Sequence, residues 1–236
     1  MKRVCIHQPD FAPWLGFFDR LVDCDLYLVL DDVQFLRRGW HHRDKIKTVQ
    51  GPAWLTLPVV KGPRDQRIDE VRIDPGARMD KLVETLRHAY RRAPAFAATF
   101  EGVAAILGAG HERLIDVNRA LIDHLLAALG VDVPQICASD LRVTERATAR
   151  LISLLERVEA THYVTGTGAL DYLDREAFAA AGITLEVRSY APRPYPQLHG
   201  DFAPGLSALD ALLNLGGEAS RLIGPTPGPM KARLTG

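Results

Sequence analysis

Apolar residues fall along this chain in short blocks that switch between two periods. Val4, Cys5 and Ile6 form a compact run that closes on His7-Gln8-Pro9, which predicts a strand over Arg3–His7 that leaves a sheet into a loop. Behind Pro13, the residues Trp14, Leu15, Phe17, Phe18, Leu21 and Val22 recur at helical spacing, so a helix is predicted over Trp14–Val22. Leu26–Leu30 is a second buried run, ended by Asp31-Asp32. Strand, helix and strand within about 30 residues make one βαβ unit, which requires parallel pairing.

A polar stretch rich in cations and aromatics follows at Gln34–Lys47. Trp54–Val60 and Ile68–Ile73 then predict the strands of a small antiparallel insertion, joined by the loop Lys61–Arg67. Helical spacing dominates next, at about Ala77–Arg92, Ala95–Leu107 and Glu112–Leu129, with Pro94 between the first two and Gly108 and Gly130 as stops. Val133–Ala138 is a predicted strand, Thr144–Glu159 a helix capped by Thr144, and His162–Thr165 a strand running into the glycine turn Gly166–Gly168. A helix over Leu170–Ala181 stopped by Gly182, a strand over Ile183–Val187 and a proline-rich loop over Tyr190–Pro204 complete the alternation. The last helix is Leu206–Leu215, capped by Ser207 or a residue just before it. The pattern predicts an α/β fold: a Rossmann-like, mostly parallel sheet of about five strands, a small antiparallel insertion and a helical middle segment. One domain spans 1–223, with the insertion at about 36–130, and the breaker-rich 224–236 is expected to be a flexible tail.

Composition narrows the function classes. Across 236 residues, 47% are hydrophobic, enough for a substantial core. Lys plus Arg and Asp plus Glu are both 29, and this balance argues against a nucleic-acid partner. Cys5, Cys24 and Cys137 are odd in number and never spaced C-x-x-C, so neither a disulfide framework nor a metal site is expected. No apolar run reaches the length of about 18 residues that a membrane span needs, and Met1–Asp10 does not read as a signal peptide. A cytoplasmic protein without a membrane partner is the expectation.

Five groups of residues carry candidate chemistry. His7 and Gln8 stand at the carboxyl end of a strand and ahead of a helix, where open α/β sheets place ligands, and His7 is suited to acid–base work. Asp31, Asp32 and Gln34 follow the second strand; two adjacent carboxylates are costly to bury together, so one is expected to face a substrate or a cation. Arg37-Arg38-Gly39-Trp40-His41-His42-Arg43-Asp44-Lys45, with Lys61 nearby, concentrates cations around an indole and suits a phosphate or carboxylate. Thr165-Gly166-Thr167-Gly168-Ala169-Leu170-Asp171-Tyr172-Leu173 offers bare backbone N–H groups at an expected helix start, an anion-binding arrangement. It lacks the third glycine of a dinucleotide fingerprint and the lysine of a P-loop, so no cofactor is predicted from it. Gln197 and His199 sit in a loop stiffened by prolines and are candidate ligands for a substrate. Each group also has a structural alternative: a turn tie, a cap, a solvated face or a cover over the sheet.

These residues, in order, resemble a known family. Ile6-His7-Gln8-Pro9, Pro13-Trp14-Leu15-Gly16-Phe17-Phe18 and Asp31-Asp32-Val33-Gln34-Phe35 are similar to the opening of WbqC-like proteins. So are Gly39-Trp40 with Arg43, Trp54-Leu55-Thr56, Ala89-Tyr90 with Ala93-Pro94 and Phe96, and the run from Gly166 to Leu173. Tyr195 with Gln197, and Phe202 to Asp210, resemble the closing motif. Leu170 departs from an expected lysine, and His41-His42 and Asp44 from a more amide-rich stretch. The resemblance implies a biosynthetic enzyme of bacterial surface-polysaccharide or specialised-metabolite pathways, acting on a sugar or a small-molecule or carrier-linked acyl substrate. An acyl carrier protein is a partner that this reading admits. The preferred activity is amide-forming acyl or aminoacyl transfer. In it His7 is the general base, Arg43 and the Gly166–Gly168 amides hold the donor's charge, and Asp32, Gln8 and Gln197 orient the acceptor. Asp31, Gln34, Trp40, His41, His42, Lys61, Asp171, Tyr172 and His199 complete the expected binding set. Two alternatives stand beside it: an ATP- and magnesium-dependent ligase related to nucleotidyltransferases, and a non-catalytic sugar-binding protein.

Overall fold

The structure is a computed structural model that describes residues 1–169 and 173–224. The predicted Asp171, Tyr172 and most of the tail lie outside the described residues. Five strands form one sheet: β1 (Arg3–His7), β2 (Leu26–Val29), β5 (Gln135–Cys137), β6 (His162–Gly166) and β7 (Thr184–Arg188). They lie in the order β5-β2-β1-β6-β7, and every pair is parallel. The chain therefore builds outward from β1 on one side and then returns to start again from β1 on the other. Its crossovers diverge between β1 and β6, the place where open α/β sheets leave a crevice.

Alternation along the strands divides the core in two. Val4, Ile6, Leu26, Leu28 and Tyr163 face α5 (Ala147–Arg157) and α6 (Arg175–Ala180). Cys5, Tyr27, Val29 and Val164 face a larger cluster. That second cluster takes in α1 (Leu15–Asp19), α2 (Met79–Tyr90), α3 (Phe96–Gly108), α4 (Leu114–Ala128) and α7 (Ala208–Leu215). The helical middle segment is thus one layer of a three-layer sandwich.

The antiparallel insertion exists, with one predicted strand, Trp54–Val60, overlapping an observed one and the other replaced. It is a hairpin of β3 (Arg43–Thr48) and β4 (Gly51–Thr56), closed where Thr48 pairs with Gly51, whose φ of 100° suits glycine. Ile68–Ile73 instead makes a 3-10 turn at Ile68–Glu70 and two isolated bridges, Ile73 to Val59 and Arg72 to Arg113. The strand β3 is hard to read as one because its buried positions include Asp44 and Lys47 beside Ile46. Two helix starts also shift. Arg146 rather than Thr144 precedes α5, with no side-chain cap, and α6 begins at Arg175, where Asp174 Oδ1 accepts the Ala177 N–H. Ser207 does cap α7: its Oγ accepts the Leu209 N–H and donates to Ala12 O at 2.6 Å.

Buried polar groups weld the layers together. Lys47 Nζ donates to Gln197 Oε1, Gly200 O and Asp201 O, which pins the proline-rich loop to the hairpin. Asp210 accepts from Tyr90 Oη and Tyr195 Oη, both at 2.7 Å. Asn118 is fully buried on α4, and its Nδ2 donates to Pro9 O at 2.8 Å and His41 O at 2.7 Å. One amide thus fixes the loop after β1 against the segment entering β3. Asn118→Ala strands two buried carbonyls and is expected to cost about 2–4 kcal/mol; chemical denaturation should show the midpoint falling at unchanged slope.

Candidate functional site

β1 ends at His7 and β6 at Gly166, and continuing their register sets the two side by side. A cleft of about 540 Å3 opens over these strand tips. His7, Gln8, Asp10 and Trp14 enter it from the β1–α1 loop, Trp40, His41 and Asp44 from the hairpin side, and Gly166, Gly168, Arg188 and Tyr190 from the far strands. Arg20, from the turn after α1, reaches it between the two halves. Trp14 meets Tyr190 edge-on at 5.4 Å, and a side chain on Gly16 would strike the Trp14 indole at 2.4 Å, so glycine is needed there for the ring to lie down. Trp40 stays 46% exposed on the opposite rim. Aromatic walls with a few polar groups between them suit a small molecule carrying a ring or acyl chain.

The hydrogen bonds set the tautomers. His41 Nδ1 accepts the Leu36 N–H at 3.2 Å, so its proton is on Nε2 and is donated to Gln8 Oε1 at 2.9 Å. That orients Gln8 and leaves its amide N–H groups as donors for the cleft. Burial and then the neighbouring His42 push the His41 pKa down to about 4, so this ring is a neutral positioning residue. His7 Nδ1 donates to Gln8 O at 2.8 Å, which leaves Nε2 as an acceptor. Burial, then the positive Arg20, push His7 down to about 3. The imidazole is therefore neutral at pH 7 and a weaker base than the sequence reading expects.

The carboxyls move the opposite way. Asp10 Oδ2 lies 3.9 Å from His7 Nδ1, and burial raises Asp10 to about 7, with Arg20 opposing. Asp44 accepts the Lys45 N–H at 2.6 Å but is raised to about 8 by burial, with repulsion from Asp10 adding to the shift. Two carboxyls held near neutrality in one cleft make Asp10 and Asp44 the better acid–base candidates.

Arg20 is the counter-charge of the site. It is half-buried, makes no ion pair among the described residues, and its buried Nε has no hydrogen-bond partner. A Cβ on Gly166 would lie 2.6 Å from Arg20 Nη1, so glycine lets the guanidinium lie against the tip of β6. An unpaired guanidinium in a partly dry crevice is built for an anion. Arg188 is less free, donating to Asp19 O and Asp23 Oδ2.

Of the residues singled out by sequence, His7, Gln8, Trp40, His41, Gly166 and Gly168 meet in this cleft. Others do not. Asp31 accepts from Ser139 N and Oγ, and Asp32 Oδ2 is ion-paired to Arg150 at 2.5 Å while its buried Oδ1 has no hydrogen-bond partner among the described residues; neither carboxylate lines the cleft. Arg43 stacks on Trp54 with its guanidinium carbon 4.2 Å from the ring centroid and donates to Arg38 O. His42 packs on Phe35. Gln197 and His199 hold the loop, through Lys47 and Ala203 and through Ala89 O respectively. Gln34 and Lys61 line a neighbouring groove instead. Gly166 ends β6 and Gly168 lies in a 3-10 turn at Thr167–Ala169, whereas α6 begins at Arg175. Asp10, Asp44 and Arg20 are what the sequence reading underweights. Arg188 had a signal, a cation at the tip of a predicted strand. Arg20 was hidden inside a helical pattern. Among the described residues no cluster of three or more His, Cys, Asp or Glu could hold a metal ion, and no helix is long and apolar enough to cross a membrane.

Comparison with known proteins follows the same boundaries. The sequence profile of the WbqC-like protein family matches residues 8–222. The uncharacterized protein Rv1507c of Mycobacterium tuberculosis is 36% identical over 222 residues, which covers 93% of this chain and 96% of the relative. No solved structure matches significantly.

The raised carboxyls have a consequence for stability. Their folded-state pKa values lie above those of the unfolded chain, so the native state binds more protons and stability falls as pH rises from about 4 to about 8. Asp10→Asn removes one such group and should gain about 1–2 kcal/mol at pH 8, or about 2–8 °C in Tm, with the gain shrinking toward pH 4. Calorimetric scans across that range check it; a variant curve parallel to the wild type would contradict it.

Proposed function

The chain belongs to the WbqC-like protein family, and on that premise we propose that it is a biosynthetic enzyme that transfers an acyl or aminoacyl group to an amine, forming an amide. The observation that carries this reading is one cleft holding both an unpaired guanidinium, Arg20, and a pair of carboxyls titrating near neutrality, Asp10 and Asp44. The anion of the donor docks on Arg20. The ionised carboxylate of the pair takes a proton from the acceptor amine as its nitrogen attacks the acyl carbon. As the tetrahedral intermediate collapses, the bond to the leaving group breaks and the same carboxyl returns the proton to it. Gln8, oriented by His41, donates to the developing oxyanion. His7 accepts a hydrogen bond at Nε2 and orients rather than deprotonates. The aromatic rims, Trp40 and Trp14 with Tyr190, hold the ring or chain of the substrates and shield the reaction from water.

A second reading has one observation in its favour. The strand order is that of sheets which carry nucleotides at this switch point, so an ATP-dependent ligase would use the same cleft. Calorimetric titration with ATP, with and without magnesium, separates the two: ATP binding in the cleft supports the ligase, whereas none supports a preactivated donor.

The test of the main reading is amide formation from a panel of acyl thioesters and acyl phosphates with amino sugars and amino acids, followed by mass spectrometry. Asp10→Asn is expected to lower kcat by about 10²–10⁴-fold. His7→Gln should cost about tenfold or less, and Arg20→Ala should act chiefly on the KM of the anionic donor. Full turnover in Asp10→Asn would remove the proposed base.

A further inference from the structure

A second concavity, of about 840 Å3, opens beside the cleft, and the two share Leu36 and Gly39 in their walls. Four of its lining side chains are cations, Arg37, Arg38, Lys61 and Arg64, and no acid lines it. None of the four forms an ion pair among the described residues, whereas the next cation along, Arg67, is matched by Asp69 and Glu70. In a chain whose formal charge is zero, this is a concentrated local surplus. Like charges held together in a groove repel one another, and that repulsion is relieved when an anion of matching charge enters.

The groove is also built rather than splayed. Its walls are the segments 34–39 and 61–66, and these are bonded across to each other. Gln34 Nε2 donates to Arg64 O at 2.6 Å, Phe35 N to Gln66 O at 2.8 Å, and Arg37 Nη2 to Gly62 O at 2.5 Å. Arg37 is thereby fixed on the wall, while no hydrogen bond or ion pair ties down the side chains of Arg38, Lys61 and Arg64 among the described residues. Such a concavity has the size of a small-molecule site, not the flat area of about 800 Å2 per partner that a protein surface needs.

We infer that this groove binds the diphosphate of a small-molecule donor whose reactive end passes Leu36 and Gly39 into the cleft. The inference rests on the proposed reading of the cleft as the reaction chamber, and it divides the work between two anion sites. The groove holds the distal phosphates through several cations, and Arg20 receives the charge next to the reacting carbon. Specificity for the carrier part of the donor then resides in the groove, and specificity for the transferred part in the cleft.

Binding of inorganic pyrophosphate to the full chain, measured by isothermal titration at low ionic strength, tests the groove without any catalytic readout. The triple variant Arg38→Ala, Lys61→Ala, Arg64→Ala keeps all the cross-groove hydrogen bonds and is expected to weaken binding about tenfold or more, because charge-assisted contacts are lost. Arg20→Ala should change it less than about threefold, and added salt should weaken the wild type. If the triple variant does not fold, the double variant Lys61→Gln, Arg64→Gln is expected to give a weakening of about threefold. Wild-type affinity in the triple or double variant, loss of binding in Arg20→Ala alone, or no binding by the wild type at millimolar pyrophosphate would each overturn the groove assignment. An Arg20→Ala enzyme whose KM for the donor rises while pyrophosphate binding persists supports both readings, and a groove that fails while Asp10→Asn still lowers kcat would sink the groove alone.

Discussion

The parallel ladder between β1 and β6 is the constraint from which the site follows. It joins backbone 159 residues apart, beginning where Lys2 N meets Thr161 Oγ1 and continuing through Cys5 and Val164. No local interaction could hold these segments together, so the pairing depends on both hydrophobic layers being filled. Once it forms, the connections leaving β1 and β6, through α1 and α6, go to opposite faces of the sheet, and the tips of β1 and β6 are left uncovered. The cleft is a by-product of topology before it is a product of chemistry. Its residues are then supplied by whatever the nearby loops carry.

Those loops carry a set of groups whose charges are decided by burial. Desolvation drives His7 and His41 to their neutral forms and lifts Asp10 and Asp44 toward neutrality. Arg20 acts against one trend and with the other, discouraging a second positive charge on His7 and favouring a negative one on Asp10. The result is a compact site in which one permanent cation faces carboxyls that can change state within the physiological range. Such tuning costs folding free energy, and the cross-ties through Asn118, Lys47 and Asp210 offset it by locking the surrounding backbone.

Much of the fold was legible because its strands are apolar and its helices amphipathic. The boundaries of β1 agree to the residue, the three middle helices differ by a few residues at their ends, and Ser207 could be named as a cap from its position ahead of a helical run. The hairpin was misread because β3 hides an inward-facing acid and ammonium where a strand usually shows alternating hydrophobes. The meeting of His7 with Gly166 was legible for the same reason as the sheet. Which side chains point into the cleft was not. The sequence shows that Asp31, Asp32 and Arg43 are charged, but only the fold reveals that Asp31 bonds Ser139, Asp32 pairs through one oxygen with Arg150 and Arg43 stacks on Trp54, all outside the cleft. Arg20 is the reverse case, a cation unremarkable in sequence whose importance comes from the ion pair it does not make among the described residues.

Lys47 illustrates how late this architecture is completed. Its ammonium is satisfied by carbonyls that follow it by as many as 154 residues. At a synthesis rate of about 5–20 residues per second, the hairpin waits about 8–30 s after leaving the ribosome before its partners exist. Through that interval Ile46, Leu55 and Leu57, all buried in the finished molecule, lack part of their cover. The hairpin's cover and the cleft, whose lining includes Tyr190 and Gly205, are therefore complete only when almost the whole polypeptide has emerged.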